Sequence, residues 1–232
     1  MKLVSLDEWA DRVKYPHTSR LKCAMNNNNW PAPITLNGSY VTLEPLAMHH
    51  GPDLIEATQD GELWKLWYTS VPAPSDMSKE IERRLNLQQT GRMLPFAVIE
   101  RRSGQAVGMT TYMDIDAANR RLEIGSTWYR GSVQRTALNT ECKLLLLQHA
   151  FEQLGCIAVE FRTHFFNQQS RRAIERLGAK LDGILRNHRV LPDGSVRDTC
   201  VYSIVASEWP AARQHLQFQL ARPRATREAN RV

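Results

Sequence analysis

Hydrophobic and polar residues alternate through SYVTLEPL (39–46), the period of a strand with one buried face. The spacing changes in MHHGPDLIEATQ (48–59), which predicts a helix, and residues 61–90, ending in EIERRLNLQQTG, predict one or two more. Three strand-like segments follow, LPFAVIER (94–101), QAVGMTTYMDI (105–115) and RLEIGSTWYR (121–130), separated by RSG and DAANR turns. The longest helical signal covers 137–154. There Leu147, Ala150, Phe151 and Leu154 recur at i, i+3, i+4 and i+7, and Gly155 stands just past the end. Its apolar surface is wide, so it is expected to be covered on more than one side. A strand, CIAVEFRTH (156–164), comes next, then a short helix within FNQQSRRAIERLGAKLDG (166–183). Two strands joined at LPDGS (191–195) form a hairpin, and a last helix starts near residue 207. No internal repeat is present.

A helix between the strands at 121–130 and 156–164 lets them run parallel, whereas the remaining strands can pair antiparallel. The fold class is therefore α/β, a mixed and mostly antiparallel sheet with helices on both faces. NNNNWPAP (26–33) reads as a linker, because Asn and Pro both disfavour regular structure. The expected organisation is a poorly ordered arm at 1–33, one domain at 34–221 and a disordered basic tail at 222–232. With 232 residues, 42% of them hydrophobic, the chain can bury one full core. It has no 18-residue apolar run and no apolar signal core behind MKLVSLDEWADR, so no membrane partner and a cytoplasmic location are expected. Cys23, Cys142, Cys156 and Cys200 are scattered without a CxxC pair, which predicts reduced thiols and no metal.

The net charge of +6 belongs to the ends. Residues 222–232 hold four arginines against one glutamate, and residues 1–33 hold five basic against three acidic side chains. That leaves +1 for 34–221. A body so near neutrality is poor evidence for a phosphate-tracking surface, so no nucleic-acid partner is expected. A nucleic-acid-binding protein using its basic termini is the second alternative reading.

The 166–183 stretch raises a sharper question. Ser170, Ala173, Ile174 and Leu177 make an inward stripe, Asn167 precedes the helix and Gly178 ends it, yet Arg171 and Arg172 sit in the first turn. Two cations there oppose the helix dipole by roughly 0.3–1 kcal/mol each unless an anion is close.

Four segments, EIGSTWY (123–129), NTECKLLLLQHAFEQLG (139–155), VEFRTHFFNQQSRRAIERLGAK (159–180) and DGILRNH…RDTCVYSI (182–204), together with SYVTLEPL, resemble the GCN5-related N-acetyltransferases, more narrowly their RimJ/RimL-like branch. The resemblance covers roughly residues 36–210. It implies a splayed parallel strand pair in the sheet and acetyl-CoA as cosubstrate. It further implies a primary amine as acceptor, either a small molecule or a protein N-terminus, attacking directly in a ternary complex. A homodimer is left open.

By the same resemblance Trp128, Gln134, Arg135, Thr136, Ala137, Leu138, Asn139, Thr140, Asn167, Ser170, Arg171 and Arg172 are expected around the cofactor. The family's phosphate loop is Gln/Arg-x-x-Gly-x-Gly/Ala. This chain has Arg135 at the first glycine and Ala137 at the second, and a Cβ at 135 is expected to exclude the left-handed backbone open to glycine. The tyrosine acid of many members is replaced by Ile174, and Ser170 is the proposed substitute. Glu123 and Asp198 are candidate general bases, with His164, Glu160 and a water chain as competitors. The altered loop and the missing tyrosine motivate the first alternative, a CoA-binding sensor without turnover.

Overall fold

The computed structural model describes residues 30–191 and 193–222. The expectations for the arm and the basic tail, and with them the nucleic-acid reading, fall almost wholly outside the described residues. Eight strands form one sheet: β1 (Leu36–Asn37), β2 (Val41–Pro45), β3 (Met93–Glu100), β4 (Ala106–Asp116), β5 (Arg121–Tyr129), β6 (Ala158–His164), β7 (Lys180–Val190) and β8 (Val196–Val205). Their spatial order is β1-β2-β3-β4-β5-β6-β8-β7. All neighbours are antiparallel except β5 and β6. β1 was not foreseen, since two residues are too few to carry a pattern.

Helices α1 (Gly51–Gln59) and α2 (Met77–Gln89) pack on one face of the sheet. Their core joins Leu54, Met77 and Ile81 to Ala97, Met109 and Trp128. The other face carries α3 (Ala137–Gln148), α4 (Gln168–Glu175) and α5 (Trp209–Ala221). Between Gly61 and Met77 the chain makes only two 3-10 turns, Leu63–Lys65 and Pro74–Asp76. The reason is local: Gly61 and Glu62 take positive φ (96° and 45°), and prolines 72 and 74 supply no N–H to a helix. The long helix is α-helical to Gln148 and continues as a π turn over His149–Gln153, ending at Gly155 with φ +66°. Its wide apolar surface has the expected cause, because α3 lies between the sheet and α5.

One buried carboxylate ties α3 to the sheet edge. Glu141 accepts the backbone N–H groups of Ser39 (2.8 Å), Tyr40 (2.6 Å) and Val41 (2.9 Å) in the β1–β2 turn. A Cβ at Gly38 would collide with that carboxylate, so a larger residue there would displace Glu141 from these N–H groups.

The parallel pair decides where a ligand can enter. β5 and β6 are in register only at Arg121↔Ala158, Leu122↔Val159 and Glu123↔Glu160. Beyond Glu123 the strands separate, β5 running on to Tyr129 and β6 to His164. β5 also carries a bulge at Ser126, whose φ is +47° and where its pairing with β4 slips. Strands that stop pairing leave backbone N–H and C=O groups facing the gap.

Candidate active site

The gap opens into a cleft of about 640 Å³ that passes between the two faces of the sheet. On the α3 face it is bounded by the start of α3 and by the inward stripe of α4, where Ser170, Ala173, Ile174 and Leu177 all line it. On the α1 and α2 face it is bounded by residues 63–71, Arg84 and the ends of β6 and β8. Six Lys or Arg side chains line it, namely Arg84, Arg135, Lys143, Arg162, Arg176 and Arg197. Among the described residues no aspartate or glutamate does.

Two helix N-termini face this cavity. Thr136 caps α3, its hydroxyl accepting from Leu138 N–H at 3.3 Å and donating to the Val133 carbonyl at 2.7 Å. Asn167 caps α4, its side chain accepting from Ser170 N–H at 3.0 Å. A Gln169–Gln134 amide contact of 3.4 Å bridges the two starts. Arg135 has φ +61°, so the expectation that its Cβ would exclude the left-handed backbone is overturned. The conformation costs of the order of 1–2 kcal/mol, and the surrounding turn at Gly131–Val133 and the Thr136 cap hold it.

Of the residues expected around a cofactor, Trp128, Gln134, Arg135, Thr136, Asn139, Asn167 and Ser170 line the cleft. Ala137, Leu138 and Thr140 are buried and do not. The Ser170 hydroxyl makes no protein hydrogen bond among the described residues.

Arg171 and Arg172 lie outside the lining. Arg171 donates from Nε to the Tyr202 hydroxyl at 2.9 Å and lies 5.1 Å over the Phe165 ring, whereas Arg172 is exposed. A residue one or two steps from Ser170 is rotated about 100° or 200° away from the inward stripe. The cation beside α4 that lines the cleft is Arg176, its C-cap, which donates to Thr140 Oγ1 at 3.2 Å and Gln219 Oε1 at 3.0 Å.

The candidate bases are dispersed. Glu123 is buried, but it faces a smaller cavity of about 160 Å³ shared with Asp114, Asp116 and Glu160, not the cleft. Burial outweighs Arg162, 3.6 Å away, and pushes the Glu123 carboxyl up to about 8. Glu160 is spent on Arg121 (2.5 Å) and Arg162 (2.9 Å), which hold its carboxyl below the usual range against burial. Asp198 bonds Arg186 Nε at 2.6 Å and Asn187 N–H at 2.8 Å, away from the lining.

His164 does line the cleft. It is 3% exposed, and its Nδ1 accepts Phe166 N–H at 3.1 Å while Nε2 has no partner among the described residues. Burial first, and Arg197 second, lower its pKa.

Lys143 was not anticipated. It lies on the stripe of α3 that also presents Thr136 and Asn139, and that spacing was legible in the sequence. Its Nζ donates to Thr127 Oγ1 at 2.8 Å and Thr110 Oγ1 at 3.2 Å, with no carboxylate partner among the described residues. Burial lowers its pKa to about 8.

Away from the cleft, Glu44, His49 and His50 bring three donor atoms within 4.8 Å. His50 Nδ1 already accepts Ala47 N–H at 3.1 Å, and its Nε2 lies 3.5 Å from Glu44, so a local turn contact accounts for the grouping. Cys142, Cys156 and Cys200 are buried and unbridged, and Cys23 lies outside the described residues. No helix among the described residues is long and apolar enough to cross a membrane.

The family model for the acetyltransferase (GNAT) domain matches residues 41–180, which span both helix starts and the divergent strands. The chain belongs to the GCN5-related N-acetyltransferases. A crystal structure of such an enzyme from Brucella melitensis is 35% identical, with a TM-score of 0.74 over 82% of this chain and 87% of that one. Mycobacterium smegmatis RimJ in complex with CoA-disulfide shares the fold, with TM-score 0.69 and 22% identity over 81% of this chain and 95% of that one. YdaF of Bacillus subtilis, named as a ribosomal N-acetyltransferase, is 29% identical over 106 residues, 46% of this chain and 57% of that relative. The N-acetyltransferase fold and these neighbours are consistent with the RimJ/RimL-like branch.

Proposed function

We propose that this protein moves the acetyl group of acetyl-CoA to a primary amine by direct attack in a ternary complex within the β5–β6 cleft. The observation that carries this reading is a cleft lined, among the described residues, by six cationic side chains and no carboxylate, at the start of two capped helices. Such walls suit a ligand bearing several phosphates, which exposed helix N–H groups and arginines bind together. Arg135 and Arg176 are assigned to the phosphates, and the unpaired edges of β5 and β6 to the amide-bearing arm. Acetyl-CoA supplies an acyl group activated as a thioester.

The chain's own groups do the rest. The amine nitrogen attacks the carbonyl carbon, the C–S bond breaks, and the thiolate takes a proton from the Ser170 hydroxyl. Lys143 keeps a positive charge inside the cleft below about pH 8 and favours the anion that develops there. Cationic walls also disfavour an ammonium ion, so the acceptor enters as the neutral amine, and after attack its surplus proton passes through water to restore the Ser170 hydroxyl. Glu123 would be protonated at neutral pH and is not required as base.

A binding module without turnover loses part of its motivation, because Arg135 takes the backbone shape of the glycine it replaces. Calorimetric titration of acetyl-CoA and thiol release with an amine panel test the reading on wild type and Ser170→Ala. The expected result is unchanged acetyl-CoA binding with turnover down on the order of 10²-fold or more in Ser170→Ala, as for loss of a general acid. Acetyl-CoA binding with no thiol release on any amine would return the protein to the sensor reading.

A further inference from the structure

The part of the cleft on the α1 and α2 face holds three of its cations, and their partners differ. Arg84 is paired with Glu80 at 2.7 Å. Arg162 is paired with Asp114 at 2.8 Å and Glu160 at 2.9 Å, with Glu123 at 3.6 Å. Arg197, half-buried on β8, has no ion pair among the described residues; its Nε donates to Thr199 Oγ1 at 3.0 Å. Its cross-strand neighbour in the β7–β8 register is Arg189, another cation. Like charges opposite one another on a sheet are destabilising, and a partly desolvated guanidinium whose acidic neighbour Glu123 lies beyond ion-pair distance adds to that cost. An anion between them reverses the sign.

A second donor points into the same space. His164 is the register partner of Thr199, so it lies on the Arg197 face of the sheet. With Nδ1 accepting from Phe166, the neutral ring carries its proton on Nε2, and that buried N–H has no acceptor among the described residues. Exposed Trp67 and Phe166 flank the ring at 5.0 and 5.7 Å, just outside the lining of the cleft.

We propose that the acceptor is a small amine carrying a carboxylate or phosphate a few bonds from its reactive nitrogen, and that Arg197 binds this anion. The inference rests on the acetyl-transfer reading above and narrows it. It disfavours polyamines, whose extra ammonium groups would face these cations without a carboxylate in the lining.

Paired probes test it. L-Phenylalanine against L-phenylalaninamide examines a carboxylate, phosphoethanolamine against ethanolamine examines a phosphate, and spermidine serves as the polycation. Thiol release gives kcat/KM for each with wild type, Arg197→Gln and Arg197→Lys. In wild type the anionic member of one pair is expected to exceed its neutral partner roughly tenfold or more, and which pair does so identifies the anion. Arg197→Gln should bring that ratio close to one, and Arg197→Lys should keep part of it, because charge survives without the bidentate fork. If Arg197→Gln does not give a wild-type melting transition, the lysine variant decides. Turnover of neutral amines or spermidine without anionic preference, or a preference that survives Arg197→Gln, overturns the acceptor inference and leaves acetyl transfer standing. Absence of turnover on every amine overturns both.

Discussion

Arg135 is where one residue carries most of the argument. A non-glycine residue at φ +61° stores strain that Gly would relieve, while its guanidinium adds charge to the wall of the cleft. Arg135→Gly is therefore expected to raise thermal stability by up to about 1 kcal/mol, less the entropy that glycine adds to the unfolded chain. Acetyl-CoA affinity should fall several-fold in the same variant, and calorimetry with differential scanning separates the two effects. Arg172 on α4 and Arg176 at its C-cap divide similarly. Arg176→Ala should weaken acetyl-CoA binding roughly tenfold, whereas Arg172→Ala, at an exposed position outside the lining, should leave it unchanged. Equal losses in both variants would mean that the cofactor lies across the outer side of α4. The type and number of these charges were readable from the sequence. Their direction followed from the same pattern, since the stripe of Ser170, Ala173, Ile174 and Leu177 lines the cleft and turns positions 171 and 172 away from it. The expectation that put Arg171 and Arg172 at the cofactor came from the resemblance.

Among the elements, α3 and α4 each carry a polar side chain that satisfies backbone N–H groups, Glu141 and Asn167. Asn167→Ala removes the side-chain cap of α4 and should cost about 1 kcal/mol of stability, measured by urea unfolding with an unchanged m-value. Glu141→Ala leaves three N–H groups of the β1–β2 turn without their acceptor and should cost about 3 kcal/mol or more, since the lost bonds are charge-assisted and the groups partly buried. A loss below about 1 kcal/mol would mean that water replaces the carboxylate freely. The strands other than β1, and the helix α3, followed from periodicity. The 61–76 segment did not become helical, because its glycine and prolines act through backbone geometry that hydrophobic spacing does not report.

For the whole molecule, two buried groups titrate with opposite sign. The Glu123 carboxyl is raised from 4.5 to about 8, so between those values the unfolded chain ionises first and stability falls as pH rises. The Lys143 ammonium is lowered from 10.5 to about 8, so between 8 and 10.5 the unfolded chain holds the extra proton and stability rises with pH. Both groups thus favour a minimum near pH 8, a few kcal/mol deep at most. Denaturant midpoints across pH 4–10.5 should show Glu123→Gln flattening the lower limb and Lys143→Met the upper. A lower limb that persists in Glu123→Gln would assign it to another carboxylate.

The sequence by itself determined the order and kind of the main elements, the parallel relation of the 121–130 and 156–164 strands and the family, because those depend on local periodicity and on motifs contiguous in the chain. Tertiary structure decided the composition of the cleft. Lys143, Arg84 and Arg197 come from three elements remote in sequence and meet only where the sheet opens. Glu123 and Glu160, adjacent to that opening in the register, are drawn instead into ion pairs and a separate cavity by Arg121 and Arg162. Which charges face a ligand is a property of strand register and side-chain pairing across the sheet, and no one-dimensional pattern encodes it.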